Sequence, residues 1–489
     1  MQDIEYTNEQ KFNFTSLSTN NSELQGDLFQ LIHYFDKINI KEIDPMVIFS
    51  KQENFTIEDF NIIVDKINDF ITELNIKGIE RESEKQIIEY FSNHNINSQE
   101  FYNWLLNNQN SSNSIFILGY FNCYGIITNR NKEKAFNLFI NDLGTNHILA
   151  QHYIGHCYLY GIGTMKNDKL AFEYYEKVAI KNLAYGQLNL GCCYKKGIGI
   201  KKDFKKAFYL YEKAADKGNV IAIYNLGNCY VVGAGVNKDY NKALELYQNA
   251  ANLGHNKAQY CLALMYEKGN GIAKDIDKAI YWYEKSAKQG NDTSQYFVGH
   301  CYRYGNGIMK NEKLAFKYYE KSANKNFSSG QVSIGYFYEK GIVSVKKDFK
   351  KAVYWYEKAA NNGNLMAIYN LGNCYRNGIG IEKDYNKSFE LYKQSAEGGY
   401  SSGIMMLGYC YNNGIGTKTD KQKAFKLYQN AANLGHDIAQ NNLALMYETG
   451  DGISKDIDKA IYWYEKSANQ GNGLAMNNLN NLQKKINNL

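Results

Sequence analysis

Proline is almost missing: Pro45 is the only one in 489 residues. A proline inside a helix deletes a hydrogen bond and clashes with the preceding turn, so this chain is free to run helices without interruption. Arginine is nearly as scarce, with Arg81, Arg130, Arg303 and Arg376 the only four among 56 basic residues. Recognition of phosphates leans on the bidentate guanidinium fork, which weighs against nucleic-acid binding. No run of about eighteen apolar residues occurs, so no membrane-spanning helix is expected. The opening MQDIEYTNEQKFNF lacks the basic and apolar character of a secretory signal. A cytoplasmic location, or a nuclear one, is the expectation.

What is present is tyrosine, 43 of them, in a chain that is 44% hydrophobic and 22% charged. Tyrosine suits a thin structure, because its ring can be buried while the hydroxyl stays wet. Charge is unevenly spread. Residues 1–110 carry 8 Lys+Arg against 19 Asp+Glu, a net of −11, and the remainder 48 against 31, a net of +17.

The chain repeats itself. LGCCYKKGIGI, LGNCYVVGAGV, LALMYEKGNGI, VGHCYRYGNGI, LGNCYRNGIGI and LALMYETGDGI follow one another along it. Their small residue after the leading apolar one serves as an anchor: Gly119, Gly155, Gly191, Gly227, Ala263, Gly299, Gly335, Gly372, Gly408 and Ala444. The spacing is 36 residues, once 37, with the extra residue in the turn Gly341-Ile-Val-Ser-Val345. Such a period is the signature of a stacked helical array.

Residues 219–254 show the unit. Asn219 opens a stretch with Ala222, Leu226 and Tyr230 at helical spacing, and Gly233 and Gly235 end it. Asp239 is a fitting N-cap for a second helix through Ala243, Tyr247 and Ala250, closed by Gly254. Small anchors such as Gly227 and Ala243 are expected to let two backbones approach closely. Nine units place a tyrosine three residues past the anchor, whereas the first has Asn122 and lacks the second turn glycine, reading Gly125-Ile-Ile127. A partial eleventh unit has Asn480 at the anchor position. Atypical ends suit an array whose terminal repeats face water. Residues 1–111 do not repeat, and apolar spacing predicts helices near 24–37, 57–75, 79–93 and 98–107.

The pattern LG-x-x-Y-x-x-G-x-G followed by D-x-x-KA-x-x-WYEKAA-x-x-G resembles the Sel1-like repeat, a relative of the tetratricopeptide repeat. Ala279-Ile-Tyr-Trp-Tyr-Glu-Lys285 and Ala460-Ile-Tyr-Trp-Tyr-Glu-Lys466 carry it most fully. The resemblance implies an all-α, right-handed α/α superhelical solenoid whose first helices line the concave side. It divides the chain into an acidic helical region 1–111, ten repeats over 112–473, and a C-terminal capping helix 474–489. It also implies an adaptor or scaffold that binds proteins or peptides along its groove, as family members do in signalling and quality control. Carrying over the contact positions of the tetratricopeptide fold (three before, one after, and four or five after the anchor) gives Tyr224, Asn228, Tyr260, Tyr296, His300, Arg303, Tyr369, Asn373 and Arg376 as partner-binding residues.

Other chemistry is thin. Six cysteines fall two past an anchor, a full unit apart rather than at metal-ligand spacing, and are expected to act as small buried hydrophobes. Val178-Ala-Ile-Lys181 imitates a kinase strand but occupies a helix end. His255 and His436 follow helix-ending glycines and are expected in solvent-side turns; His156 and His300 lack a carboxylate or cysteine at helical spacing. No catalytic residue, metal or cofactor is expected, nor a nucleophile with its base. Lysines before the second-helix caps (Lys166, Lys202, Lys238, Lys274, Lys310, Lys347, Lys383 and Lys455) would form an edge ridge toward an acidic partner, the N-terminal region included. RNA binding through a helical-repeat code is the alternative function. Units two to four match units six to eight at 144 or 145 residues (His156-Cys-Tyr with His300-Cys-Tyr, Tyr224–Tyr230 with Tyr369–Tyr375), so a block of the array has been copied.

Overall fold

Every second helix of the ten units starts on an Asn or Asp whose side-chain oxygen accepts a backbone N–H from the first turn. Asp203 caps Lys206 at 2.9 Å, and Asp239 caps both Asn241 and Lys242 at 3.0 Å. First helices end on glycines in the left-handed region, from Gly125 to Gly450, with φ between 65° and 80°. Second helices close on a further left-handed residue, Gly254 in unit four, but Asn182 in unit two and Asn326 in unit six.

The computed structural model describes residues 57–78, 83–342 and 345–487. The chain forms two compact units, Met1–Phe60 and Asn61–Leu489, and nearly all the described residues lie in the second. Regular elements among the described residues are helical: α1 (Ile57–Lys77), α2 (Ser83–Asn93) and α3 (Ser98–Asn107), then ten helix pairs from Ser112–Tyr124 to Ile457–Ala468, then Gly473–Asn487. Each helix packs on its neighbours in sequence, which makes the array an all-α solenoid. The expected helix at 24–37 and the extra residue near Val343 fall outside the described residues.

Two glycine contacts explain the motif. A Cβ on an anchor glycine would stand 2.6–3.0 Å from an aromatic ring of the second helix: Tyr247 for Gly227, Tyr356 for Gly335, Tyr392 for Gly372. The anchor therefore seats a ring first; the close backbone approach that the sequence suggested is seen beside it at Gly191 and Gly299, where Ala207 O and Ala315 O would lie 3.4 and 3.2 Å from the Cβ. Those rings, including Tyr211 and Tyr319, are almost wholly buried. The second turn glycine lies on the preceding unit: a Cβ on Gly199 would come 2.2 Å from the carbonyl oxygen of Asp168, and one on Gly235 equally close to that of Phe204. In unit one no earlier repeat stands there, and Ile127 takes the same left-handed φ of 64°.

The recurring tyrosine three past the anchor is a wedge between units. Tyr194 meets the edge of Phe172 of the preceding second helix, ring centres 5.6 Å apart, and Lys206 of its own unit lies 5.1 Å over its face. Its carbonyl also accepts the N–H of the cap residue Asp203 at 3.0 Å. Asn122, standing there in unit one, does not face water. It is 2% exposed, bonded to Leu118 O at 2.7 Å and to the Tyr102 hydroxyl of α3 at 3.5 Å. With Phe91, Phe101 and Phe121 packed on one another nearby, edge-on or tilted, α2 and α3 cover the leading end of the array, which is why that unit departs from the pattern.

Candidate protein-binding face

Ring contacts pass from one first helix to the next (Tyr120 to Tyr153, His152 to Tyr185, Tyr260 to Phe297, Tyr369 to Tyr400). Exposed tyrosines stand on both sets of helices, Tyr209, Tyr281, Tyr354 and Tyr462 on second helices and Tyr160, Tyr304 and Tyr409 on first ones. The ring contacts make the first helices one continuous face, and all nine carried-over residues lie on them, each half-buried.

Those nine are held in place from beneath. The hydroxyl of the buried Tyr247 donates to Asn228 Oδ1 at 2.8 Å, and that of Tyr392 donates to Asn373 Oδ1 at 2.7 Å. The Asn228 side chain is also hydrogen-bonded to Tyr224. Tyr224 packs on Tyr247 and His255, Tyr260 on Tyr283 and Phe297, and Tyr369 on Tyr392 and Tyr400. In unit six Tyr296 rests on Phe327 and Tyr319, while His300 touches Tyr304 at 4.5 Å. Burial and the neighbouring Arg303 charge lower the His300 pKa.

Both array arginines on this face reach into the following unit. The Arg303 guanidinium lies 4.5 Å over Tyr336 and 5.1 Å over Tyr304; Arg376 approaches Tyr409 at 5.9 Å and the Met406 sulfur at 3.8 Å. Arg376 Nε donates to Asn377 Oδ1 at 3.2 Å, and the remaining edge donors of a guanidinium laid on a ring can meet a carboxylate. Tyr336 and Tyr409 were not among the nine. They stand one past their anchors, the position already used for Asn228 and His300, and that rule would have found them.

Several other expectations change. His255 and His436 are not solvent-side: their Nδ1 atoms cap the next first helix, accepting from Ala258 at 3.1 Å and Ala439 at 3.4 Å. Their place after the glycine is the N-cap position, where a neutral imidazole nitrogen can replace an Asn oxygen. His156 has a partner at helical spacing, but it is a histidine. His152 Nε2 and His156 Nε2 are 3.1 Å apart, beneath Tyr185 and Tyr160. Burial lowers the His156 pKa to about 4 and that of His152 as well, so one neutral ring donates to the other.

The cysteines are free thiols; burial pushes Cys157, Cys193 and Cys374 up to about 12, far from the thiolate that nucleophilic chemistry requires. Among the described residues no group of three or more His, Cys, Asp and Glu comes together as a metal site. Lysines of the edge ridge are partly matched in place, Lys166 with Asp168 at 3.3 Å and Lys310 with Glu312 at 3.0 Å, while Lys347 and Lys383 lie over Phe349 and Tyr385. No described helix is long and apolar enough to cross a membrane.

Ten consecutive segments, residues 112–140, 148–182, 184–219, 220–255, 256–291, 293–327, 328–364, 365–400, 401–436 and 437–472, match the model of the Sel1 repeat. Among solved structures, a protective antigen of uropathogenic Escherichia coli displaying an SLR fold is 26% identical, covering 86% of this chain and 90% of its own, with a TM-score of 0.62. A Sel1 repeat protein from Oxalobacter formigenes is 30% identical over 50% of this chain and 96% of that one, with a TM-score of 0.47. No curated protein matches.

Proposed function

This chain belongs to the Sel1 repeat family, whose members generally mediate protein–protein interaction, and we propose that it is a scaffold that binds partner proteins or peptides along its first-helix face. The observation that carries this reading is the run of half-buried Tyr, Asn, His and Arg from unit four to unit eight, supported from below by buried tyrosine hydroxyls. Side chains already fixed lose little rotamer freedom on binding, and Tyr and Arg are common interface anchors. An acidic peptide is the partner that Arg303 and Arg376 favour. We place the protein in the cytoplasm, where its separately buried thiols stay reduced.

The test is proximity labelling and pull-down with the full chain against Tyr296→Ala/His300→Ala/Arg303→Ala. Partners recovered by the parent chain should be lost from the triple variant at unchanged thermal stability. Equal recovery by both chains would remove this face from the function. Retention of RNA instead, falling steeply with salt, would replace the proposal.

A further inference from the structure

We infer that helix α1 is a ligand held in cis, and that its seat on units two to four is a binding site for an amphipathic helix, which a partner protein's helix can take when α1 leaves. The site lies between Asn113 and Asn219, two units before Tyr296, His300 and Arg303, and carries its own evidence.

Within Asn61–Lys77, Ile63, Val64, Ile67, Ile71 and Leu74 form one helical stripe, each no more than 5% exposed, while Ile62, Asp65, Lys66 and Asp69 point to solvent. Both ends of the stripe are tied to the array. Asn113 Nδ2, at the start of the first array helix, donates to Asp65 Oδ1 at 2.8 Å. Asn219 Nδ2, at the start of unit four, donates to the carbonyls of Ile76 at 2.9 Å and Asn75 at 3.3 Å. Ile76 packs in one cluster with Ala184, Leu188 and Ala222.

The array is written differently under this helix. First helices open with an apolar pair in units two to four: Ile148-Leu149, Ala184-Tyr185 and Val220-Ile221. The copied units six and seven read Asp292-Thr293 and Ser328-Ser329 at the same places, and unit five reads Asn256-Lys257; unit eight, the copy of unit four, keeps an apolar pair in Leu365-Met366, but both residues are only half-buried. Leu149, Ala184, Tyr185 and Val220 are 5% exposed or less, whereas Asp292, Thr293, Ser328 and Ser329 are only half-buried.

The cap asparagines tell the same story. Asn364, the copy of Asn219, turns its Nδ2 inward to Ser328 Oγ at 3.3 Å, and Asn472 turns its Nδ2 to Asp437 at 3.0 Å. The residue corresponding to Ser328 in unit three is Ala184, which has no acceptor. Asn219 therefore has a donor to offer outside the array, and it meets the last carbonyls of α1, groups that no helix can satisfy by itself. The occupant is specified by this geometry: a helix with Ile, Val or Leu along one stripe, polar on the other, whose C-terminal end stops against Asn219.

A tethered helix competes at roughly millimolar effective concentration, so exchange is measured with the tether cut. A specific protease site replaces residues 79–82 of the full chain, the chain is cut and diluted, and a fluorescent peptide of residues 61–78 is titrated in. The cut chain should bind the peptide at least about tenfold tighter than the uncut chain. Asn219→Asp keeps the cap on Ala222 but loses the donor, and should weaken peptide binding about tenfold or more with amide protection of Val220–Val232 unchanged. Tyr296→Ala/His300→Ala, two units beyond Asn219, should bind the peptide like the parent. Equal binding by cut and uncut chains, or an Asn219→Asp variant that binds normally, would overturn the inference.

Discussion

Asn219 Nδ2 donates to the main-chain carbonyl of Ile76 at 2.9 Å across 143 residues of sequence. The same side chain accepts the N–H of Ala222 through Oδ1 at 2.9 Å, so one amide closes the end of one helix and the start of another. Asn364 caps Ala367 in the same way at 3.0 Å, but its Nδ2 goes to the Ser328 hydroxyl at 3.3 Å and not to the carbonyls of a helix end. Asn364→Ala should therefore cost about 1 kcal/mol, the worth of an N-cap, and Asn219→Ala distinctly more. Chemical denaturation of the two variants side by side measures the difference; equal losses would mean that the Ile76 bond adds nothing.

The ring-on-glycine contact makes a second prediction. A Cβ on Gly335 would stand 2.6 Å from Tyr356 Cε1, so Gly335→Ala should destabilise by about 1–3 kcal/mol through overpacking. Tyr356→Leu alone also destabilises, but in combination with Gly335→Ala the losses should be less than additive. A double-mutant cycle that comes out additive would show that ring and glycine do not press on each other.

Left-handed positions held by asparagine give a third. Asn326 is exposed and has φ 63°. Glycine takes this conformation freely, and a β-branched side chain is opposed by about 1–2 kcal/mol. Asn326→Gly should leave the urea midpoint nearly unchanged, whereas Asn326→Val should lower it. If both variants unfold alike, the turn has no need of its left-handed residue.

Acid should weaken unit two. His152 and His156 have pKa values below that of an unfolded histidine, so the unfolded chain binds more protons and stability rises with pH. Their contribution is complete above about pH 6.5 and is lost as pH falls toward the His156 value of about 4. The slope approaches about 1.4 kcal/mol per pH unit for each histidine. A His152→Leu/His156→Gln variant should show a flatter stability profile between pH 6.5 and 4.5 than the parent. A parallel profile would place the acid response elsewhere.

Much of the fold was legible because its determinants are local. Asp239 as a cap, Gly254 as a stop and the 36-residue period all lie within one unit, and the helices expected from apolar spacing near 57–75 and 98–107 stand at Ile57–Lys77 and Ser98–Asn107. The parts that escaped are relations between distant residues. Gly227 looked like a backbone contact because its ring, Tyr247, sits twenty residues away on another helix. His436 looked wet because a histidine cap is rarer than an asparagine one. The α1 seat needed an absence to be noticed, the serine that unit seven has and Ala184 lacks. On the binding face, the carried-over positions picked out Arg303 but not the Tyr336 ring beneath its guanidinium, since that ring belongs to the next unit.

The span of α1 from unit one to unit four also sets how the molecule responds to force. Elsewhere each repeat touches only its neighbours, so an array can peel one unit at a time. Between Asp65–Asn113 and Ile76–Asn219 lies a long-range tie, and units one to four cannot separate until it breaks. Pulled from its ends, the chain should lengthen first in small steps from the Gly473–Asn487 end, and last in one large release from the block that α1 clasps.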